Sequence, residues 1–154
     1  MNDPKIEKMV CKVSLLLSDN TCLEGEVFLS LYDLTHSGPQ NLGDLLNSGE
    51  QFIPLKTEKG IVLLNMRHIV QAKIASEREA DDIMKTGSSY TIWVKTEIGG
   101  LIEGDIFICL HDGRFGRVKD YVNQPLTFFR LFQPEYVVYL NQRFILSIHD
   151  QIAP

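Results

Sequence analysis

The sequence predicts a mainly β protein, built as two tandem small five-stranded barrels, each with a short inserted helix, joined by a linker helix. Three observations predict it. The first is an internal repeat. Residues 24–33 read Glu-Gly-Glu-Val-Phe-Leu-Ser-Leu-Tyr-Asp and residues 103–112 read Glu-Gly-Asp-Ile-Phe-Ile-Cys-Leu-His-Asp. Further on, Leu64-Asn65-Met66-Arg67-His68-Ile69 returns as Leu140-Asn141-Gln142-Arg143-Phe144-Ile145. Self-similarity at a fixed spacing is the mark of a repeated structural unit. The second is short apolar runs, alternating with period two in the first strand of each copy and bounded by turn residues, the pattern of half-buried strands. The third is a glycine inside the second strand of each copy, Gly25 and Gly104. Glycine there marks a bulge or a sharp bend, as a small barrel needs.

Each element follows in order. Val13, Leu15 and Leu17 alternate in the first copy, and Tyr90, Ile92 and Val94 hold the same register in the second. The turns Ser18-Asp19-Asn20-Thr21 and Glu97-Ile98-Gly99-Gly100 supply residues that tolerate positive φ. Second strands run from Cys22 to Leu31 and from Leu101 to Leu110. The copies lie 79 residues apart at Gly25 and Gly104 but 76 apart from Asp44 and Asp120 onward. The missing residues therefore fall in an exposed loop, where length varies freely. One or two helical turns follow at 42–47 and 118–123, with Asn47 and Asn123 expected at left-handed C-caps. Third strands are expected at 51–57 and 127–133, fourth strands at 60–64 and 136–140, and fifth strands at 68–74 and 144–148.

The first unit spans 5–74, the linker 75–89 and the second unit 90–150. In the linker, Ser76-Glu77-Arg78-Glu79 matches a capping box. Acidic residues at 77, 79, 81 and 82 suit the positive end of a helix reaching about Lys85 and stopping at Gly87. A solvated connector is the expectation.

The chain has 154 residues, 44% hydrophobic and 23% charged, as in a soluble globular protein. Copies of about 60–65 residues sit at the small end of folding units, so they should pack on each other. No run of 18 apolar residues suggests a membrane span, and the N-terminus lacks the apolar stretch of a signal peptide. Cys11, Cys22 and Cys109 are odd in number and widely spaced. Reduced thiols in the cytoplasm are expected.

The order of strand, turn, bend glycine, trailing Asp, then strand–Asn–strand resembles the Sm-like fold, a small barrel of the SH3-like kind. Gly25, Asp33 and Asn41 match that family's second-strand glycine and the Asp and Asn that follow it. Gly104 and Asp112 match in the second copy, where Arg117 takes the place of Asn41. The resemblance implies RNA binding. The family's Arg-Gly pair between strands four and five is replaced here by Leu64-Asn65 and Leu140-Asn141, and the helix lies inside the repeat rather than before it. The recurring phrase Asp-Leu-Leu-Asn, Phe-x-x-Leu, Leu-Asn-x-x-x-Ile also resembles bacterial domains with no assigned activity.

The repeated polar residues read first as structural. Asp44/Asp120 and Asn47/Asn123 should satisfy helix ends, Asn65/Asn141 should hold turns, and Arg67/Arg143 should pair with carboxylates. No enzyme is expected. His36, His68, His111 and His149 match no repeated position, and neither a nucleophile elbow nor a phosphate loop is present. No cofactor and no metal are expected. A net charge of −5 and pI near 5.3 oppose nucleic-acid binding. The local exception is Arg114, Phe115, Arg117 and Lys119, where an aromatic ring sits among cations. Extra aromatics in the second copy, Phe129, Phe132, Tyr136 and Tyr139, suggest an interface with the first unit, a second copy of the chain or another protein, with the first two favoured. Phe132 is expected off the core, because Lys56 fills its place in the first copy. These readings converge on a non-catalytic cytosolic interaction or adaptor module, with a protein partner or self-association. The alternative is a tandem Sm-like RNA-binding protein.

Overall fold

The computed structural model describes residues 8–31, 38–109 and 118–154. Ten strands form one antiparallel sheet. They are β1 (Lys8–Leu17), β2 (Cys22–Ser30), β3 (Phe52–Thr57), β4 (Gly60–Asn65), β5 (Ile69–Ala75), β6 (Ser88–Thr96), β7 (Leu101–Ile108), β8 (Phe128–Phe132), β9 (Tyr136–Asn141) and β10 (Ile145–His149). Three short helices accompany them: α1 (Leu42–Leu46), α2 (Ser76–Glu79) and α3 (Val118–Val122). The sheet order is β10-β6-β7-β8-β9-β5-β1-β2-β3-β4. The sheet is open, with β10 at one edge and β4 at the other. The mainly β expectation holds, but the sheet does not close into two small barrels. β5 pairs with β1 of its own half on one side and with β9 on the other, from Gln71↔Leu140 to Ala75↔Tyr136, which joins the two halves into one ladder.

Alternation explains the strands. Cys11, Val13 and Leu15 are buried while Lys12 and Ser14 are exposed. At the first hairpin Asn20 takes φ +69°. The Asp19 carboxylate accepts from the Thr21 amide at 2.9 Å, and its bonds to Thr21 hold its pKa below the usual value. Gly99 and Gly100 take positive φ at the equivalent turn before β7.

Gly25 and Gly104 sit in regular register, opposite Val13 and Ile92. Close approach explains these glycines rather than a bulge. A Cβ on Gly25 would lie 2.6 Å from the Lys56 carbonyl, and one on Gly104 would lie 3.0 Å from the Leu131 Cβ.

The core has two parts. One gathers Val13, Val27, Leu42, Leu55, Ile69 and their neighbours, and takes in Phe128, Phe132, Val137 and Tyr139 from β8 and β9. The other gathers Ile92, Ile106 and Val118 with Phe129, Leu131, Val138 and Leu140. The β8–β9 hairpin is therefore buried on both faces. That is why its strands read as near-continuous apolar runs rather than alternating ones.

The linker also departs from expectation. Its α-helix is only Ser76–Glu79, followed by a single 3-10 turn at Ile83–Lys85. Ser76 is the first helical residue rather than the N-cap, and no side chain caps this helix. Glu79 is buried rather than solvated.

Candidate interaction site

Among the described strands, the edge strand β4 carries the most exposed large apolar side chains. Ile61 and Leu63 are 65% and 67% exposed, Phe52 on β3 is 50% exposed, and Val62 is 40% exposed. Register explains the placement. Cross-strand partners share a face, so Lys56/Ile61, Pro54/Leu63 and Phe52/Asn65 lie on one side of the β3–β4 hairpin. Ile53, Leu55 and Leu64 lie on the other, in the core. Between Gly60 and Asn65 the edge has no charge and no proline, the usual devices that keep a strand edge from pairing.

At the middle of the sheet the β5–β9 junction is held by polar ties. Glu79 reaches across from α2. Its Oε1 accepts from the Leu42 amide at 2.9 Å and its Oε2 from the Gly43 amide at 3.1 Å. The Tyr139 hydroxyl donates to Oε2 as well. Glu79 thus satisfies two donors at the start of α1, while Asn41 caps the third, accepting from the Asp44 amide at 2.8 Å. Burial pushes the Glu79 pKa up, against the pull of the Tyr139, Leu42 and Gly43 hydrogen bonds and the Arg130 charge. Tyr139 is pushed strongly upward, first by burial and then by the Glu79 charge. Burial likewise raises Tyr121. Arg130, opposite Tyr139 in the ladder, keeps a buried Nε with no hydrogen-bond partner among the described residues. Gly43 is required by this arrangement, because a Cβ there would meet the Tyr139 ring at 2.8 Å.

Two asparagines complete the junction. The Asn47 amide donates to the Phe128 carbonyl at 3.1 Å and accepts from the Phe128 amide at 2.9 Å. Asn141 is buried and donates to the Ile69 carbonyl at 3.0 Å. Asn47 has φ −100°, so it is not the left-handed cap expected of it. Asn65 and Asn141 do hold turns, each accepting from the amide two residues on at 3.1 Å.

The residues singled out from sequence fall in different places. Arg114, Phe115 and Arg117 lie outside the described residues, as does Asp33. Lys119 is exposed on α3. Phe129 is buried in the second core. Phe132 and Tyr139 are buried in the first. The expectation that Phe132 lies off the core is corrected, because β8 is covered on the face where Lys56 meets solvent. Phe132 stacks edge-on against Phe107 at 5.3 Å. Tyr136 remains partly exposed, with the Lys73 ammonium 4.2 Å from its ring centroid across the junction. Three of the four aromatics thus lie inside the molecule. Sequence reasoning missed Glu79 and the bare β4 edge. The run Gly60-Ile61-Val62-Leu63-Leu64, apolar at both parities beside a charge-bearing β3, was the available signal.

Shallow clefts flank the junction, one beside Gly25 and one beside Gly104. The first mixes Lys12, Lys56 and Lys73 with Glu24, Glu26 and Glu58, so neither sign of charge dominates. Among the described residues, no cluster of His, Cys, Asp and Glu could hold a metal ion, and no helix is long and apolar enough to cross a membrane. Compared with protein-family models, curated proteins and solved structures, the chain matches none.

Proposed function

We propose that the protein is a non-catalytic interaction module that takes a protein partner by strand addition at the β4 edge. The observation that carries this reading is the exposed run Ile61-Val62-Leu63 on an uncharged edge strand. Such an edge offers unpaired backbone donors and acceptors for affinity and side-chain positions for selectivity. The perturbed carboxylate, Glu79, supports the same reading, since Leu42, Gly43 and Tyr139 already engage both its oxygens in holding the fold. Within this reading the chain is a duplicated unit, because residues 88–149 repeat the strand order of residues 8–75.

The test is photocrosslinking from position 63, with position 59 in the neighbouring turn as control, in purified protein and in lysate. Adducts at 63 that disappear with Ile61→Lys are expected. Background labelling at both positions would reject the β4 edge as the binding surface.

A further inference from the structure

We propose that the partner for which the β4 edge is built is the β10 edge of a second copy of this chain, joined head to tail in the register of the internal β5–β9 junction. The inference rests on the strand-addition reading above and names its partner. Three independent observations converge on it.

Burial is the first. The sequence offset of 76 residues maps β9 onto β4 and β5 onto β10. Val137 and Tyr139 are 0% and 2% exposed, because the junction brings them into the core of the first half, whereas their counterparts Ile61 and Leu63 stand bare. Val70 on β5 is 0% exposed, while its counterpart Leu146 on β10 is 58% exposed. Each open edge thus carries the apolar residues of a strand that is covered at the junction.

Register is the second. The internal ladder pairs Gln71↔Leu140, Ala72↔Tyr139 and Lys73↔Val138. The same offset sets Ser147 of one copy opposite Leu64 of the next, Ile148 opposite Leu63, and His149 opposite Val62. No charged side chain meets another of like sign in that ladder.

The tying asparagines are the third. Asn47 clasps the Phe128 backbone across the junction. Its counterpart, Asn123, is exposed and, among the described residues, its side chain bonds only its own helix, at the Lys119 carbonyl. In the proposed contact Asn123 reaches the backbone of Phe52 in the next copy. Asn141 donates to Ile69 across the junction. Its counterpart, Asn65, uses its oxygen for the Arg67 amide, while its amide N–H groups have no acceptor among the described residues. They are placed for the Ile145 carbonyl of the next copy. Leu63 stands where Tyr139 does, and Lys56 where Phe132 does. The contact is therefore less apolar than the internal one, and reversible.

A head-to-tail contact leaves one β10 and one β4 free at the ends, so copies add until the assembly closes on itself. Sedimentation of the wild-type protein should show species larger than a monomer that grow with concentration. Leu63→Lys blocks the β4 edge and Leu146→Lys blocks the β10 edge. Both positions are exposed, so each variant should keep the wild-type circular dichroism and unfolding midpoint. Each alone should be monomeric, and an equimolar mixture should give a one-to-one dimer and nothing larger. Asn123→Ala should weaken association by about tenfold while leaving the fold intact. A wild-type protein that stays monomeric would overturn the proposal, even if position 63 still crosslinks to other proteins in lysate. A Leu146→Lys variant that still dimerises alone would overturn it too, since that would mean β4 pairs with β4.

Discussion

Removing the Glu79 side chain should separate α1 and α2 from β9 at one stroke. In Glu79→Ala, the Leu42 and Gly43 amides and the Tyr139 hydroxyl all lose their acceptor. A hydrogen bond to a charged group is worth ~1.5–3 kcal/mol, and a buried donor left without a partner costs ~1–3 kcal/mol. Loss of a carboxylate whose burial is itself unfavourable offsets part of this. The balance is a loss of ~2–4 kcal/mol, read as a lower urea midpoint at unchanged slope. Glu79→Gln should cost less, since one oxygen still serves Leu42 while its NH2 faces the Gly43 donor. Tyr139→Phe should cost ~1–2 kcal/mol in the wild type and little in the Glu79→Ala background. The penalty also depends on pH. Burial raises the Glu79 pKa above 4.5, so the folded state holds this proton more tightly than the unfolded state. The associated stability is fully present below 4.5 and is lost as pH rises through the raised folded value. Glu79→Ala should therefore be most damaging in mild acid and less so at alkaline pH. Equal midpoints for wild type and Glu79→Ala would refute the reasoning, and so would an undiminished Tyr139→Phe effect in the Glu79→Ala background.

Two further substitutions probe the same junction. Gly43→Ala drives a Cβ to 2.8 Å from the Tyr139 ring, which should cost ~1–3 kcal/mol by overpacking. Adding Tyr139→Leu, the residue found at position 63, should recover part of that loss in urea unfolding. Asn47→Ala leaves the Phe128 amide without its acceptor, and should cost ~1–2 kcal/mol. Hydrogen exchange at Phe128 should speed up more than at residues in the centre of β1.

Strand content was legible because period-two alternation and turn residues are local signals. Val13-Ser14-Leu15 needs only one buried face to declare itself. The spacing of Gly25 and Gly104 pointed correctly to a special backbone site, but not to its cause. A bulge and a close approach both demand the absence of a Cβ, and only the unbroken register and the close neighbours, the Lys56 carbonyl and the Leu131 Cβ, distinguish them. Closure was not legible. β5 pairs with β1 of its own unit on one side; whether its other side meets β4 or β9 is a choice between edges of similar composition, and sequence separation does not decide it. Glu79 was misread for a related reason. Ser-x-x-Glu fits a capping box locally, yet the unsatisfied amides of α1, 36 and 37 residues away, compete for the same carboxylate. The nonlocal bonds prevail here because they satisfy two buried donors, whereas a capping box would satisfy one exposed donor.

The contrast between the two hairpins carries the remaining argument. The β8–β9 hairpin has a core on each side, and its side chains are apolar at nearly every position: Phe128, Phe129, Leu131 and Phe132, then Val137 to Leu140. A hairpin with one face in solvent should instead be polar at every second residue. The β3–β4 hairpin fits neither description. Its outer face holds Phe52, Pro54, Ile61 and Leu63 with one charge, Lys56. That is too apolar for a face that is always solvated, and too polar at Lys56 for one that is always buried. A surface covered in one state and bare in another has to meet both requirements. Lys56 can meet them, because its long apolar stem packs while its ammonium stays in water. On the proposed reading, an edge used intermittently accounts for the composition of β3–β4 better than either a permanent interface or an ordinary exposed strand.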